Sequence, residues 1–181
     1  MAKKWFFNPF IGKLDYYETG GGGKGWELIK SGSFTNSFNL TGLNGDVDKL
    51  YKLILVGVGP ARTYDLRLNN DSGQYNYDWV KHFAGFSGGN PIHDVDRSTG
   101  MNRIPLGHLN RERQFIEITI QARTTLDRLI KISNHDRYDN TTFAIVDIHA
   151  KWYNTANITQ INIILSGAID VGQYWLFRVV E

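Results

Sequence analysis

The segment Gln114-Phe-Ile-Glu-Ile-Thr-Ile-Gln-Ala-Arg123 decides the fold, because apolar and polar residues alternate along it. The apolar residues fall on one face of an extended chain: Ile116, Ile118, Ile120 and Ala122. The polar residues fall on the other face: Glu117, Thr119, Gln121 and Arg123. A period of two residues is typical of a strand with one buried face and one exposed face. We therefore predict a strand here.

The same alternation returns elsewhere in the chain. It is clearest in residues 64–68, 141–153 and 175–179, and it is weaker in 26–31, 34–40, 50–57, 126–133 and 157–167. Many short strands separated by polar turns favour an antiparallel β-sandwich or barrel. We predict these residues for its core: Trp26, Ile118, Ile120, Ile148, Trp152, Ile163 and Phe177.

Length and composition are typical of one all-β domain. The chain has 181 residues, 19 glycines and 13% aromatic residues, and it has no cysteine, which excludes disulfides, thiolate metal sites and a cysteine nucleophile. Its formal charge of +2 does not favour nonspecific attraction to nucleic acid or acidic lipid. No apolar stretch has the length of a membrane span. We expect neither nucleic acid nor membrane as a partner.

Three zones organise the chain. Residues 1–25 are predicted to form an extended aromatic arm with a hinge at Gly20–Gly23, because consecutive glycines are costly to order. The aromatic residues of the arm need a surface on which to be buried: Trp5, Phe6, Phe7, Phe10, Tyr16 and Tyr17. That surface belongs either to the arm's own domain or to another chain. Residues 26–181 form the predicted sandwich, and residues of about 70–113 read as a long central loop.

Catalytic and metal-binding patterns are weak. The histidines do not fall in a spacing that places two metal ligands on one face, and His93-Asp-Val-Asp96 reads as a solvated polar loop. Ser87 stands in a Gly-x-Ser-x-Gly spacing (residues 85–89) but lacks any local sign of activation, and the glycine run lacks the Ser or Thr of a phosphate-binding loop. We predict no enzyme activity, no cofactor and no metal.

One segment suggests carbohydrate binding. In an extended strand, Tyr75, Tyr77 and Trp79 would lie on one side, next to the amide and carboxylate groups of Asn76 and Asp78. Aromatic faces beside hydrogen-bonding groups can form a sugar-binding platform. The alternative is that these rings pack in the core or in an interface.

The arm carries a resemblance to a known family. Residues 7–16 read Phe-Asn-Pro-Phe-Ile-Gly-Lys-Leu-Asp-Tyr and resemble the FNPFTGKLDY leader of tailed-bacteriophage virion proteins, with Ile11 in place of the usual Thr. Further similar blocks lie at residues 25–29, 38–51, 66–72, 161–167 and 174–179, whereas 74–113 matches no family motif.

The resemblance implies a jelly-roll-like β-sandwich. It also implies a non-enzymatic virion structural protein, either a capsid decoration protein or a tail or neck accessory subunit. It implies attachment to a major capsid or tail protein and a homo-oligomer, with a trimer favoured. It also implies location in a virion that assembles in the host cytoplasm. The alternative is a carbohydrate-binding or receptor-binding module of a phage tail that recognises a host-surface glycan.

Overall fold

The computed structural model describes residues 3–8, 13–18, 25–60, 62–87, 90–109, 113–124, 128–137 and 143–180. The elements are β1 (Lys3–Asn8), β2 (Lys13–Glu18), β3 (Gly25–Phe34), β4 (Phe38–Thr41), α1 (Gly45–Asp48), β5 (Leu50–Val58), β6 (Arg62–Leu68), β7 (Tyr77–Ser87), β8 (Asn90–Met101), β9 (Ile104–Leu109), β10 (Arg113–Gln121), β11 (Arg128–Arg137), β12 (Phe143–Trp152), β13 (Gln160–Leu165) and β14 (Val171–Val180). Within the described ranges, no helix is long and apolar enough to cross a membrane.

Two antiparallel sheets pack as a sandwich, as the alternation predicts. The large sheet has eight strands in the order β3-β14-β5-β10-β11-β12-β7-β8, and the small sheet has four in the order β4-β13-β6-β9. Strands β1 and β2 form a separate antiparallel hairpin. The predicted all-β sandwich is therefore confirmed, with sheets of unequal size.

The core lies between the two sheets and is built from the apolar face of each. In β10 and at the residue directly after it, Ile116, Ile118, Ile120 and Ala122 are almost completely buried, as predicted. They meet residues of the small sheet such as Leu66 and Ile163, which are also fully buried. Burial of one face per sheet requires the period of two residues seen in the sequence.

Two of the predicted core residues lie elsewhere. Ile118, Ile120, Ile148, Trp152 and Ile163 are in the core, as predicted. Trp26 and Phe177 instead belong to the outer face of the large sheet, where Trp26 is half-buried and Phe177 is buried outside the core. In β14 the inward residue is Leu176, which pairs with the core residue Leu53. The sequence does not reveal this because both faces of β14 are apolar.

The prediction of a long loop over residues 70–113 is wrong, because β7, β8 and β9 lie there. Strand β8 is an edge strand whose residues are mostly exposed, so burial leaves no alternating pattern in its sequence. Strand β9 contributes Ile104 and Leu106 to the core. The segment joining β6 to β7 contains no strand, as the cluster of turn residues at 69–73 predicts.

A glycine allows a close contact between the sheets. Asn134 of β11 is buried and donates from Nδ2 to the backbone oxygen of Leu106 in β9 at 3.0 Å. Gly107 has φ of +126°, and a Cβ atom there would lie 2.1 Å from Asn134 Nδ2. Any larger residue at position 107 would therefore displace the amide that joins the sheets.

The crossover from the small sheet to the large sheet is held by one carboxylate. Asp71 accepts hydrogen bonds from Gly73 N at 3.0 Å, Asn76 Nδ2 at 2.7 Å, Trp152 Nε1 at 2.9 Å and Asn154 Nδ2 at 3.1 Å. Burial raises the pKa of Asp71, but these hydrogen bonds outweigh that effect and hold its pKa below the ordinary value. The charged carboxylate thereby ties the β6–β7 connection to β12.

A second polar cluster joins α1 to the strands at the other end of the large sheet. Asp48 is buried and accepts from Tyr51 Oη at 2.6 Å and from Arg178 Nη1 at 2.9 Å. Arg178 also donates from Nε to Glu27 at 2.9 Å. Burial raises the pKa of Tyr51, and the bond to Asp48 raises it further, so the phenol stays neutral and donates. The cluster links β3, β14, β5 and α1.

The core assignment can be tested with one strand. We expect Ile118→Ala to lower the free energy of unfolding by roughly 2–5 kcal/mol, because it leaves a cavity between the sheets. Thr119→Ala, the next residue on the outer face, should change it by no more than about 0.5 kcal/mol. Urea denaturation of both variants measures the difference, and equal losses would contradict the face assignment.

The role of Asp71 predicts a pH dependence of stability. Because its folded pKa lies below the unfolded value of about 3.9, its stabilising effect is present above that pH and is lost as the pH falls through the folded pKa. We expect Asp71→Asn to be less stable than the parent at pH 7, and this difference should shrink below about pH 3.9.

Denaturation at several pH values measures this effect, with Asp170→Asn, at an exposed position, as the control variant. If the difference between Asp71→Asn and the parent stays constant down to about pH 2, the charged form of Asp71 does not hold the connection.

Candidate functional site

The outer face of the large sheet is the broadest surface on which a partner could bind. It faces away from the small sheet and carries the residues that alternate with the core. Its composition changes across the sheet, from an apolar region on β3, β14 and β5 to a basic region on β10, β11 and β12. The two regions are described in turn.

The apolar corner consists of outer-face residues on three adjacent strands. They pair across the strands as Trp26 with Val179, Leu28 with Phe177, and Trp175 with Ile54. Leu28 is 40% exposed, whereas Ile54 and Phe177 are buried. Lys52 lies at the border of the corner, with Nζ 5.1 Å from the centre of the Trp26 ring. It also forms an ion pair with Glu117 at 3.1 Å.

The basic groove has a volume of about 520 Å³ and lies across β10, β11 and β12. Its lining residues are Lys49, Leu50, Thr119, Gln121, Arg123, Leu129, Ile130, Lys131, His149 and Ala150. None of them is acidic. The register explains the grouping, because Lys131 pairs with Thr119 on one side and with His149 on the other. Cross-strand partners on one face of a sheet have their Cβ atoms about 4.5–5.5 Å apart.

Two acidic groups at the margin of the groove are held by other partners, and a third, Asp147, lies on the same outer face two residues from His149. Glu117 is in the ion pair with Lys52. Asp46 accepts from the backbone N of Thr124 at 2.8 Å, and hydrogen bonds from Thr124 lower the pKa of Asp46, with a smaller contribution from the charge of Arg123. The carboxylates of Glu117 and Asp46 therefore already have partners at the margin of the groove.

Histidines also collect on the outer face, but they do not form a metal site. His82, His93 and Asp147 line a hollow of about 370 Å³. In the described residues, no group of three or more His, Asp or Glu side chains is placed to hold a metal ion. Along β8, His93 lies on the opposite face from Asp94 and Asp96, and Asp96 forms an ion pair with Lys81 at 3.3 Å.

The structure separates the three rings of the predicted carbohydrate platform. Tyr77 and Trp79 are buried in the core, and Tyr77 stacks on Trp152 with ring centres 6.4 Å apart. Tyr75 precedes β7 in the left-handed conformation and is 75% exposed. The prediction of one platform is wrong for Tyr77 and Trp79, because the inward face of β7 belongs to the core, as the alternative interpretation stated.

The arm is described only in its backbone. Trp5, Phe6 and Phe7 lie in β1, and Tyr16 and Tyr17 lie in β2, with Trp5 opposite Tyr16 and Phe6 opposite Asp15. Phe10 and the side chains of the arm lie outside the described residues. The predicted arm is therefore a hairpin where it is described, and its role in attachment stays a prediction.

The basic groove is not evident from the sequence because its basic residues are far apart in the chain. Lys49, Arg123, Lys131 and His149 come from four separate segments, and none of these is a basic run. The only local signal was that Arg123, His149 and Lys131 stand at outward positions of alternating strands. Their grouping depends on the pairing of β10, β11 and β12.

Comparisons with protein-family models, with curated proteins and with solved structures found no match to this chain.

Proposed function

We propose that this protein is a non-enzymatic structural subunit of a tailed-bacteriophage virion, a capsid decoration protein or a tail or neck accessory protein. The resemblance of residues 7–16 to the FNPFTGKLDY leader supports the virion assignment. A β-sandwich with an open outer sheet face suits a role in which a stable body is attached to a larger particle. The partner would be a major capsid or tail protein.

The register of the β1–β2 hairpin is the observation that carries the proposed mode of attachment. Trp5 pairs with Tyr16, and Phe7 pairs with Leu14. Because strand residues alternate between two faces, these four positions belong to one face of the hairpin. Burying one large apolar side chain contributes roughly 1.5–3 kcal/mol, so such a face can hold a subunit on a partner.

The glycine run supports the same proposal. Gly20–Gly23 separates the hairpin from β3, which is an edge strand of the large sheet. A glycine linker lets the hairpin take the orientation that a partner requires. Ordering it costs roughly 1–2 kcal/mol per residue, which burial of several rings would offset. We further propose that the subunit is a homo-oligomer, with a trimer favoured by the family resemblance.

The virion assignment predicts that the chain is a component of intact particles. Mass spectrometry of purified virions should detect it at a constant ratio to the major capsid or tail protein. Its ratio should not change when the particles are washed and banded a second time. Absence of the chain from intact particles would contradict the proposal.

The hairpin proposal predicts different effects for its two faces. We expect Trp5→Ala combined with Tyr16→Ala to abolish attachment to particles that lack the protein. Phe6→Ala combined with Tyr17→Ala changes aromatic residues at positions of the other face and should leave most of the attachment intact. Both double variants should melt like the parent, because the sandwich core is unchanged.

Co-sedimentation of the purified variants with such particles measures the difference. Deletion of residues 1–19 serves as the complete loss of the arm, and it should leave the sandwich folded. Normal attachment of the deleted protein would overturn the role of the hairpin. Unfolding of the deleted protein would show instead that the arm belongs to the core of its own domain.

A further inference from the structure

We propose that the basic groove across β10, β11 and β12 binds an acidic, extended segment of a partner protein. The groove lies on the sandwich body, and the proposed function, which uses the N-terminal hairpin, assigns it no role. This inference therefore adds a second contact, with a partner of defined charge.

The first observation that supports this proposal is which basic side chains form ion pairs with carboxylates. In the described residues, several basic side chains elsewhere are engaged by carboxylates: Lys52 with Glu117, Lys81 with Asp96, Arg103 with Asp65, and Arg178 with Glu27 and Asp48. Within the same part of the chain, Arg123 and Lys131 are exposed and form no ion pair with a carboxylate. A partner's carboxylates can therefore bind them without displacing an existing ion pair.

The second observation is that the basic residues of the groove are spread across neighbouring strands. Lys131 and His149 are direct neighbours across β11 and β12, and Lys49 and Arg123 line the same groove toward the β5 side. Adjacent strands are about 4.8 Å apart, so the cations spread over a distance of several strands. In an extended peptide, side chains on one face recur about every 6.6 Å, which lets successive acidic residues reach different cations.

The third observation is that aliphatic residues also line the groove. They favour a peptide as the ligand over other polyanions. Leu129 is 52% exposed and lines the groove together with Leu50. The lining contains no Phe, Tyr or Trp, whereas sugars and single-stranded nucleic acids are typically bound by stacking on the rings of these residues. Aliphatic residues between cations instead match a peptide that carries both acidic and small apolar side chains.

Binding of a defined probe to the full-length protein tests this proposal. The probe is a fluorescein-labelled peptide of alternating Glu and Ala, and peptides of alternating Lys and Ala or Gln and Ala are the comparison probes. Fluorescence anisotropy should show binding of the acidic probe only. Its affinity should fall as the salt concentration is raised from about 50 to 300 mM, because the charges are exposed to solvent.

Variants place the binding in the groove. Arg123→Gln combined with Lys131→Gln should weaken the acidic probe by about fivefold or more. Arg103→Gln, on the connection between β8 and β9, removes an exposed cation from another surface and should have little effect. Lys131→Glu should lose the acidic probe more completely than Lys131→Gln. All variants change exposed side chains, and their melting temperatures check that they are folded.

Three results would overturn the proposal. The first is that the acidic probe does not bind at low salt. The second is that the groove variants and Arg103→Gln weaken binding of the acidic probe equally. The third is that the protein binds heparin but not the peptide. The last result would assign the groove to a sulfated polysaccharide. The assay needs no virion, so its outcome is independent of whether the chain is found in particles.

Discussion

The packing of a four-stranded sheet against an eight-stranded sheet is the constraint on which the rest of this structure depends. The small sheet covers the inner face of the large sheet, where Ile118, Ile132 and Ile148 are fully buried. Within residues 25–180, as far as the structure describes them, no second sheet packs against the other face of the large sheet. Its composition is therefore free to vary, and it holds both the apolar corner and the basic groove.

Polar side chains fix how the two sheets are joined. The Asp71 carboxylate holds the connection from β6 to β7 against Trp152, and the Asn134 amide bonds β11 to the backbone of β9. At the opposite side of the large sheet, Asp48 joins α1 to β5 and β14. Such bonds are worth most where the groups are removed from water, because each then has no other partner. They make the sandwich a body with one defined arrangement.

A body of this kind suits the proposed role in a particle. Attachment through a separate hairpin allows the sandwich to keep its own core whether or not a partner is present. The basic groove would add a contact whose strength depends on salt, whereas the apolar residues of the hairpin give a contact that depends on buried area. The two proposals therefore assign different physical interactions to different parts of the chain.

Sequence patterns predict the core of this protein better than they predict its surface. The alternation in residues 114–123 gave both the strand and the buried face of β10, because burial of one face imposes a period of two. The same reasoning failed for β8, whose residues are mostly exposed at a sheet edge, and no burial pattern is imposed there. It also misplaced Trp26 and Phe177, because an apolar residue in a strand with two apolar faces does not show which face is inward.

Alternation and composition therefore predict the fold class and most of the core, and they show an aromatic segment followed by a glycine run. Only the tertiary structure decided which surface is available for binding. Tyr77 and Trp79 look like a binding platform in the sequence, yet both are buried, since the face that they share packs against the small sheet. Conversely, Arg123, Lys131 and His149 come together only through the pairing of β10, β11 and β12, because strand register, which depends on contacts between distant segments, sets their distances.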